Sequence, residues 1–301
     1  MTISRGELEK ETAGQSSAPN VAGEIPEVRP PAVPDGWTIA PPDFVGVGTQ
    51  RSGTTWWYQL ITGHPDVEKP PGRPKEIHFF DPYCRVANIP ADSYHRYFPR
   101  PPGKLCGEWT PRYMYDYWTP PMLRRAAPQA KVLVILRDPI ERLLSGLAMH
   151  ISFGFDINSR LYHQFWRGSY WSQLRTLLEY FDRSQLLVLQ YEQCVADPLA
   201  QAHRTFEFLG LDPAARIAPA QLTQRVNQTR IKKPMIDEAT RGALRLSYHA
   251  ELIQLFAEFP EIDGSLWPTF GGTRHHGAER WASPAGRYSP RSRRAGDVGG
   301  T

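Results

Sequence analysis

One stretch, residues 43–60 (DFVGVGTQRSGTTWWYQL), constrains the fold of this chain most. Its first residues are apolar, with the length and composition of a buried strand, and the bulky residues at its end favour a helix packed on a sheet. Gly48 and Gly53 bracket the polar turn between the two elements. Such a turn exposes backbone N–H groups at the positive end of a helix dipole, which predicts an anion-binding cradle. The side chains that would add donors are those of Arg51, Ser52, Thr54 and Thr55.

The turn nearly matches the Walker pattern G-x-x-x-x-G-K-[ST], with Gly48, Gly53 and Thr55 in place. Thr54 stands in the lysine position, and the cation lies earlier, at Arg51. A P-loop kinase or ATPase needs that lysine on the β- and γ-phosphates of ATP. We therefore interpret the loop as a site for a phosphate-bearing donor other than ATP. The alternative is a turn without a ligand, since short glycine-rich loops are common.

Length and composition favour one large α/β domain. The chain has 301 residues, of which 41% are hydrophobic and 22% charged, as in ordinary soluble globular proteins. Its three widely spaced cysteines form neither a disulfide framework nor a zinc pattern, so we expect a reducing, cytoplasmic location. The sequence shows neither an apolar run long enough for a transmembrane helix nor a secretory signal.

Composition divides the chain into three segments. Residues 1–36 are polar and then rich in proline, which predicts a disordered leader and an extended linker. Residues 37–271 carry the motifs and form the expected domain. Residues 272–301 hold six arginines and two acidic residues, which predicts a basic, disordered tail. A solvated tail is favoured over one that binds nucleic acid, because nothing else in the chain indicates nucleic-acid recognition.

Apolar runs alternate with helical patterns after the opening loop. The run at 131–136 (KVLVIL) is the clearest strand, because a uniformly apolar run is typical of a parallel strand buried on both faces. This alternation predicts an α/β fold with a P-loop-like central parallel sheet flanked by helices on both faces. The other predicted elements are a strand at 186–189 and helices at 54–62, 94–98, 120–127, 140–150, 170–181, 196–209 and 238–259.

A second polar group follows the KVLVIL strand. Arg137 comes directly after it, and Ser145 lies about two turns into the next helix. Ligands of an open parallel sheet bind beyond the carboxyl ends of its strands, so this pair would hold a second phosphate. An ordinary ion pair of Arg137 with Asp138 or Glu141 is the alternative.

Lys75, Glu76 and His78 form a third group. A regular strand would place Glu76 and His78 on one face and Lys75 on the other, whereas a bend would bring all three towards one cleft. A carboxylate beside a cation and an imidazole is a candidate general base for an acceptor hydroxyl or amine. Without the phosphate loop, the group would be interpreted as surface charge.

The three groups, in this order, resemble the motifs of sulfotransferases that use 3′-phosphoadenosine 5′-phosphosulfate (PAPS). TQRSGTTWW resembles the family's 5′-phosphosulfate loop, which usually has a lysine where this chain has Arg51. RDPIERLLSG resembles the 3′-phosphate motif. KEIHFFD resembles the segment that holds the catalytic glutamate of heparan sulfate 3-O-sulfotransferases. The resemblance spans residues 43–270 and includes a late stretch that begins at Tyr191.

The resemblance implies transfer of a sulfuryl group from PAPS to a hydroxyl, or an amine, of a carbohydrate, glycolipid or small-molecule acceptor. Glu76 would take the acceptor proton, while Arg51, Lys75 and His78 would assist at the reacting groups. No metal is expected, because arginine and backbone amides supply the positive field. The residues assigned to the donor are Arg51, Ser52, Gly53, Thr54, Thr55, Trp56, Arg137, Ser145, Tyr191, Arg230, Lys232 and Lys233. A P-loop small-molecule kinase and a non-catalytic nucleotide-binding protein of the same fold are the alternatives.

The acceptor is less constrained by the sequence. Trp109 stands where the heparan enzymes tend to have a lysine, which argues against a heparan-like acceptor. Residues 79–118 are dense in aromatic side chains, and we expect about half of these to line an acceptor cleft and the rest to pack in the core. A homo-oligomer is compatible with the sequence.

Overall fold

The computed structural model describes residues 28–70, 72–81, 90–223 and 231–270. Its strands are β1 (Thr38–Ile39), β2 (Phe44–Gly48), β3 (Val67–Glu68), β4 (Pro99–Arg100), β5 (Leu105–Trp109), β6 (Lys131–Leu136) and β7 (Leu186–Gln190). Five of them form a parallel sheet in the order β3–β5–β2–β6–β7. The other two, β1 and β4, form a separate antiparallel pair.

Helices connect the strands and cover both faces of the sheet. They are α1 (Thr54–Thr62), α2 (Ala91–His95), α3 (Thr119–Ala126), α4 (Pro139–Ser152), α5 (Ile157–Trp166), α6 (Tyr170–Leu178), α7 (Tyr191–Ala196), α8 (Pro198–Leu209), α9 (Pro219–Thr223) and α10 (Glu238–Glu258). Short 3₁₀ turns lie at Arg183–Gln185 and Gly264–Leu266.

The central strand β6 explains the two-layer core. Val132 and Val134 point into the cluster packed with α4, α6 and α10, while Leu133 and Ile135 point into the cluster packed with α1 and α8. Successive side chains of a strand face opposite sides, so an apolar run supplies both layers at once. The predicted fold class, an α/β parallel sheet with helices on both faces, is confirmed.

Asp138 holds the start of α4 as the sequence predicts. Its side chain accepts hydrogen bonds from the N–H groups of Ile140 (3.0 Å) and Glu141 (3.1 Å), and Pro139 occupies the first helical position. The other carboxylate oxygen accepts from the N–H of Thr269 at 2.7 Å. Arg137 is therefore fixed between the end of β6 and a well-capped helix.

Two elements that position the site are absent from the predicted elements. Strand β5 pairs directly with β2, although the surrounding stretch was expected to be irregular. Gly107 makes this pairing feasible, because a Cβ there would lie 2.2 Å from the carbonyl oxygen of Phe44. Helix α5 is the second missed element, and it is the one that lines the far side of the cleft.

Smaller corrections concern helix bounds. The helix expected at 94–98 lies at Ala91–His95. The helix expected at 196–209 is two elements, because Asp197 ends α7 and caps α8 by accepting from the N–H of Ala200 at 3.0 Å. The three-segment division stays a prediction, since residues 1–27 and 271–301 lie outside the described residues. Among the described helices, none combines the length and apolarity needed to cross a membrane.

Candidate active site

A cleft of about 1360 Å³ lies at the carboxyl ends of β2, β5 and β6, where the loops that follow these strands meet. Its first part, the loop half, is lined by the glycine-bounded loop at 50–56 and by Arg137 and Ser145. Its second part, the α5 half, is lined by side chains from 111–118 and 160–167. This is the sheet edge at which open parallel sheets bind their ligands.

The loop half is shaped by internal hydrogen bonds. The hydroxyl of Thr49 donates to the carbonyl of Ile135 at 2.9 Å and lies 2.6 Å from the hydroxyl of Ser52. Ser52 is fully buried, so its hydroxyl holds the loop and is not presented to the cleft. Gly53 has a φ of 81°, and a Cβ there would lie 3.0 Å from the ring of Tyr191. The predicted loop therefore lies at the cleft, while the Ser52 side chain faces Thr49, and its assignment to the donor stays a prediction.

Helix α1 begins at this loop without a capping side chain. Gly53 occupies the N-cap position and has no side chain to cap the helix, and the first turn holds no acidic residue. The first N–H groups of a helix need acceptors, and the helix dipole favours anionic ones. The N-terminus of α1 thus has the polarity and the open geometry that bind a phosphate.

Arg51 connects the two sets of residues that the sequence predicts to bind phosphate. Its Nε donates to the hydroxyl of Ser145 at 3.1 Å, and its backbone carbonyl accepts from Nη1 of Arg137 at 3.1 Å. Burial first, and the neighbouring charge of Arg137 second, lower the pKa of Arg51. Two adjacent guanidinium groups repel each other, and an anion between them would relieve that repulsion. Asp138 and Glu141 are engaged elsewhere, as a helix cap and as the partner of Lys233.

The third predicted group also lines the cleft. Nζ of Lys75 lies 2.8 Å from one carboxylate oxygen of Glu76, and Nε2 of His78 lies 3.2 Å from the other. Nδ1 of His78 lies 2.8 Å from Asp81. The chain bends here, because His78 has a φ of 56°. The bend that the sequence required to unite the three side chains is therefore present.

Backbone strain is concentrated in this cleft. Among the described residues, Arg51 and His78 are the two non-glycine residues with positive φ, at 72° and 56°. Such conformations cost about 1–3 kcal/mol each and persist where the surrounding structure enforces them. Both residues line the cleft, which supports the cleft as the candidate functional site.

Charge stabilises Glu76 as a carboxylate. Burial acts to raise its pKa, but the hydrogen bond with His78 and the charge of Lys75 outweigh burial and lower that pKa. Burial likewise opposes protonation of His78, but Asp81 and Glu76 prevail and raise its pKa to about 9. Burial lowers the pKa of Lys75. At neutral pH the group therefore holds a carboxylate with 36% of its side chain exposed, beside an imidazolium.

A buried network behind the bend was not found from the sequence. The N–H of Ile77 donates to a carboxylate oxygen of Glu108 and to the hydroxyl of Thr110, both at 3.1 Å. Glu108 is fully buried and also accepts from the hydroxyl of Tyr94 at 2.6 Å. These side chains satisfy backbone amides of a segment that belongs to no sheet. The signal was a lone acidic residue in the apolar strand β5, which was itself missed.

The α5 half contains a minority of the aromatic residues between 79 and 118. Three of them line the cleft: Tyr115, Tyr117 and Trp118. Those fully or nearly fully buried in the core are Phe79, Phe80, Tyr94, Phe98, Trp109 and Tyr113. Trp109 donates from its ring to the carbonyl of Gly48 at 3.1 Å and packs beneath β2. Trp109 is therefore a packing residue of the sheet and not a side chain of the cleft.

The remaining assigned residues fall into two groups. Trp56 and Tyr191 line the cleft, and the ring of Tyr191 lies 4.9 Å from the guanidinium of Arg137. Lys233 also lines it and pairs with Glu141. Lys232 is exposed and is not part of the cleft wall. Arg230 lies outside the described residues. Among the described residues, no cluster of three or more His, Cys, Asp or Glu side chains is arranged to hold a metal ion.

Comparison with known families agrees with this site. Residues 41–241 match the family described as "Sulfotransferase domain", so the chain belongs to the sulfotransferase family. The resemblance inferred from the three motifs is thereby confirmed. The sulfotransferase from Alicyclobacillus acidocaldarius has a similar structure, with a TM-score of 0.59 and 23% identity over 76% of this chain and 99% of that one. That likeness shows the fold.

Several curated proteins are similar in sequence. Heparan sulfate glucosamine 3-O-sulfotransferase 3B1 of Mus musculus is 28% identical over 186 residues, which cover 56% of this chain and 46% of that protein. Heparan sulfate glucosamine 3-O-sulfotransferase 6 of Homo sapiens is 29% identical over 185 residues, which cover 56% of this chain and 52% of that protein. The chain thus spans about half the length of these curated relatives.

Proposed function

We propose that this protein transfers a sulfuryl group from PAPS to a hydroxyl, less readily an amine, of a carbohydrate or small-molecule acceptor. One observation carries the proposal: a single cleft unites the uncapped N-terminus of α1, a pair of guanidinium groups and an accessible carboxylate. Membership of the sulfotransferase family supports the reaction class. The names of the curated relatives support a carbohydrate acceptor.

The described residues fit the two ends of PAPS. The loop and the first turn of α1 suit the 5′-phosphosulfate, because they offer backbone N–H groups and the hydroxyls of Thr54 and Thr55. Arg137, Ser145 and the side chain of Arg51 suit the 3′-phosphate, because guanidinium groups bind phosphate oxygens through charge-assisted hydrogen bonds. When bound, PAPS would supply the sulfuryl group and leave as adenosine 3′,5′-bisphosphate.

Glu76 is the group placed to take the acceptor's proton. Its carboxylate is exposed to the cleft, ionised at neutral pH and oriented from both sides by Lys75 and His78. As the acceptor oxygen bonds to sulfur and the bond from sulfur to the 5′-phosphate oxygen breaks, the acceptor proton passes to Glu76. His78 does not need to contact the acceptor for this step, since Asp81 fixes its ring and its charge stabilises the carboxylate.

Lys75 is the cation placed to assist the reacting end of the donor. Its Nζ lies 3.1 Å from the hydroxyl of Thr54, the residue that occupies the Walker lysine position, and also contacts Glu76. The side chain of Arg51 instead reaches Ser145, on the 3′-phosphate side. We therefore divide the two roles that the sequence gave to Arg51. Lys75 stabilises charge that develops at the leaving oxygen, and Arg51 binds the far phosphate.

The decisive experiment compares turnover and binding in the Glu76→Gln variant. Removing a general base lowers rates by about 10²–10⁴-fold, so PAPS turnover should fall by that amount while the affinity for adenosine 3′,5′-bisphosphate stays nearly unchanged. Glu179→Gln, an exposed position on the surface, serves as the matched control. Full turnover by Glu76→Gln would refute the assignment of the base.

A nucleotide screen separates this proposal from its rivals. Adenosine 3′,5′-bisphosphate should raise the melting temperature more than ATP with Mg²⁺, since only the former has a 3′-phosphate for Arg137. A kinase would show the reverse order, and a non-catalytic binder would show the shift without PAPS turnover. The cytoplasmic location expected from the cysteines stays a proposal that subcellular fractionation would test.

A further inference from the structure

The α5 half of the cleft contains arginines that have no acidic partner. Arg112 is paired with Asp116 at 2.6 Å and with Asp81 at 3.6 Å. Arg160 and Arg167, in contrast, form no ion pair with any carboxylate of the described residues, and the Nε atom of each is buried without a hydrogen-bond partner. The terminal N–H groups of the two guanidiniums also make no hydrogen bond to the described residues, so these groups are the donors that the cleft wall offers to a ligand.

Aromatic rings hold these two guanidinium groups in place. The guanidinium of Arg167 lies 4.3 Å from the ring centroid of Tyr115, and that of Arg160 lies 4.3 Å from the ring centroid of Phe155. A cation–π contact restricts the position of each guanidinium while leaving its terminal N–H groups free to donate. The hydroxyl of Tyr115 is in turn held by Nδ1 of His163 at 2.8 Å. The two cations are therefore pre-oriented parts of the wall.

Burial, and with it the positive charge of Arg160 and Arg167, lowers the pKa values of two neighbouring histidines. Burial first, then Arg160 and Arg167, lower the pKa of His150 to about 4. Burial first, then the same two arginines, also lower the pKa of His163. Neither imidazole thus adds or removes charge at neutral pH, and the wall retains the net positive charge of its arginines.

A set of charged contacts runs from the proposed base into the α5 half. Glu76 contacts His78, His78 contacts Asp81, and Asp81 contacts Arg112. Arg112 also pairs with Asp116, whose charge acts on Arg167 without forming an ion pair with it. Glu76, Arg160 and Arg167 line one cleft, so an acceptor whose hydroxyl reaches Glu76 has room to place its far end in the α5 half.

We propose that Arg160 and Arg167 form a subsite for an anionic group of the acceptor, a carboxylate or a phosphate or sulfate ester. The acceptor is then a hydroxylated ring that carries one such oxyanion, with its ring face against Tyr117, Tyr162 or Trp166 at the cleft mouth. This inference deepens the proposed function and rests on its assignment of Glu76 to the acceptor side. It identifies α5 as the element that selects the acceptor.

Matched ligands test the subsite by binding alone. Calorimetry on the full chain saturated with adenosine 3′,5′-bisphosphate would compare p-nitrophenyl β-D-glucuronide with p-nitrophenyl β-D-glucoside, which differ by a carboxylate. A charge-assisted pair predicts that the glucuronide binds about tenfold or more tightly. Glucose 6-phosphate and glucose 6-sulfate, each set against glucose, show which oxyanion is preferred.

Variants of the two arginines test whether they cause the preference for the anionic ligand. Arg160→Gln and Arg167→Gln should each reduce the preference for the anionic ligand to about twofold or less, while Arg167→Lys should keep part of it because the charge remains. Arg216→Ala, an exposed position outside the cleft, is the control. Nucleotide affinity should stay the same in all four proteins, which also shows that they are folded.

The outcomes separate this inference from the proposed function. If none of the three anionic ligands binds more tightly than its neutral partner, or if the preference survives in both glutamine variants, the subsite is refuted. If the preference is found and lost as expected but PAPS turnover is absent with every acceptor, the subsite stands and the proposed function fails.

Discussion

The two halves of the cleft are built in different ways. The loop half comes from two short, continuous stretches, each of which directly follows a buried strand, and its contacts are mostly backbone N–H groups and hydroxyls. The α5 half comes from scattered side chains on a loop and a helix, and its contacts are rings and guanidinium groups. Backbone geometry suits a ligand that never changes, whereas side chains can be exchanged to suit a different acceptor.

The largest effect that would sharpen this comparison is expected at Lys75. Lys75→Met removes the cation beside Thr54 and Glu76, and the loss of one donor to developing charge costs about 10²–10³-fold in kcat. Affinity for adenosine 3′,5′-bisphosphate should change much less, and single-turnover kinetics with a binding titration would measure both. Lys104→Met, which breaks a surface pair with Asp66 and a hydrogen bond to the carbonyl of Pro65, both outside the cleft, is the control. A larger loss of kcat in Arg51→Met than in Lys75→Met would reverse the proposed division of roles.

A smaller effect, on binding and not on chemistry, is expected at Arg137. Arg137→Ala should weaken adenosine 3′,5′-bisphosphate by about 10–100-fold, since hydrogen bonds to charged groups contribute about 1.5–3 kcal/mol each. Adenosine 5′-monophosphate, which lacks the 3′-phosphate, should lose little affinity. Isothermal titration with both nucleotides checks the prediction. An equal loss for both would show that Arg137 supports the loop through its bond to the Arg51 carbonyl and does not read the phosphate.

The pairing of His78 with Glu76 should produce a step in the pH dependence of kcat. The pKa of His78 is raised to about 9, so the imidazolium that stabilises the Glu76 carboxylate is present below that pH and is lost as the pH rises through it. We expect kcat to fall several-fold over this alkaline range, by an amount on the order of the contribution of one charged hydrogen bond. His78→Asn should remove this step, and asparagine tolerates the positive φ of the position. A step that persists unchanged in His78→Asn would belong to another group, with Lys75 the nearest candidate because burial lowers its pKa.

The smallest effect is expected at the rim of the α5 half. Tyr117, 75% exposed, contributes only a ring face to an acceptor, and such contacts are worth about 0.5–1.5 kcal/mol. Tyr117→Ala should therefore raise the acceptor KM about 2–12-fold without affecting nucleotide affinity. Steady-state kinetics at saturating PAPS measures the first and titration the second. An altered nucleotide affinity would mean that Tyr117 also affects nucleotide binding in the loop half.

The difference between the two halves of the cleft explains which parts of the site could be predicted from the sequence. Loops that follow apolar strands keep their function-bearing residues together, so the turn at 48–55 and the Arg137 and Ser145 pair were recognisable from spacing. Strand β5 escaped notice because glycine and a buried glutamate interrupt its apolar pattern, although both are required by the packing. Helix α5 escaped because Leu161, Tyr162 and Trp166 are exposed, which obscures the periodicity of a helix packed on one face.

Pairings across the cleft could not be predicted at all. The bond from Arg51 to Ser145 joins residues that are 94 positions apart, and the bond from Lys75 to Thr54 joins residues that are 21 positions apart. Spacing predicted that the loop and the Arg137 and Ser145 pair would lie at the same sheet edge, but not which cation would face which phosphate. The separate roles proposed for Lys75 and Arg51 rest on the folded geometry alone.

The buried Glu108 should make the segment that carries the proposed base unusually resistant to local opening. Segments outside regular structure usually open in small local fluctuations and exchange their amide protons quickly. The amide of Ile77 is instead bonded to a fully buried carboxylate at the end of β5, and the amide of Phe79 is bonded to the buried hydroxyl of Tyr113 at 2.8 Å. Opening this bend requires disruption of the core, so its amides should exchange as slowly as those of the central strands. The proposed base therefore lies on a segment without regular secondary structure. We expect that segment to open only when the sheet and its core unfold.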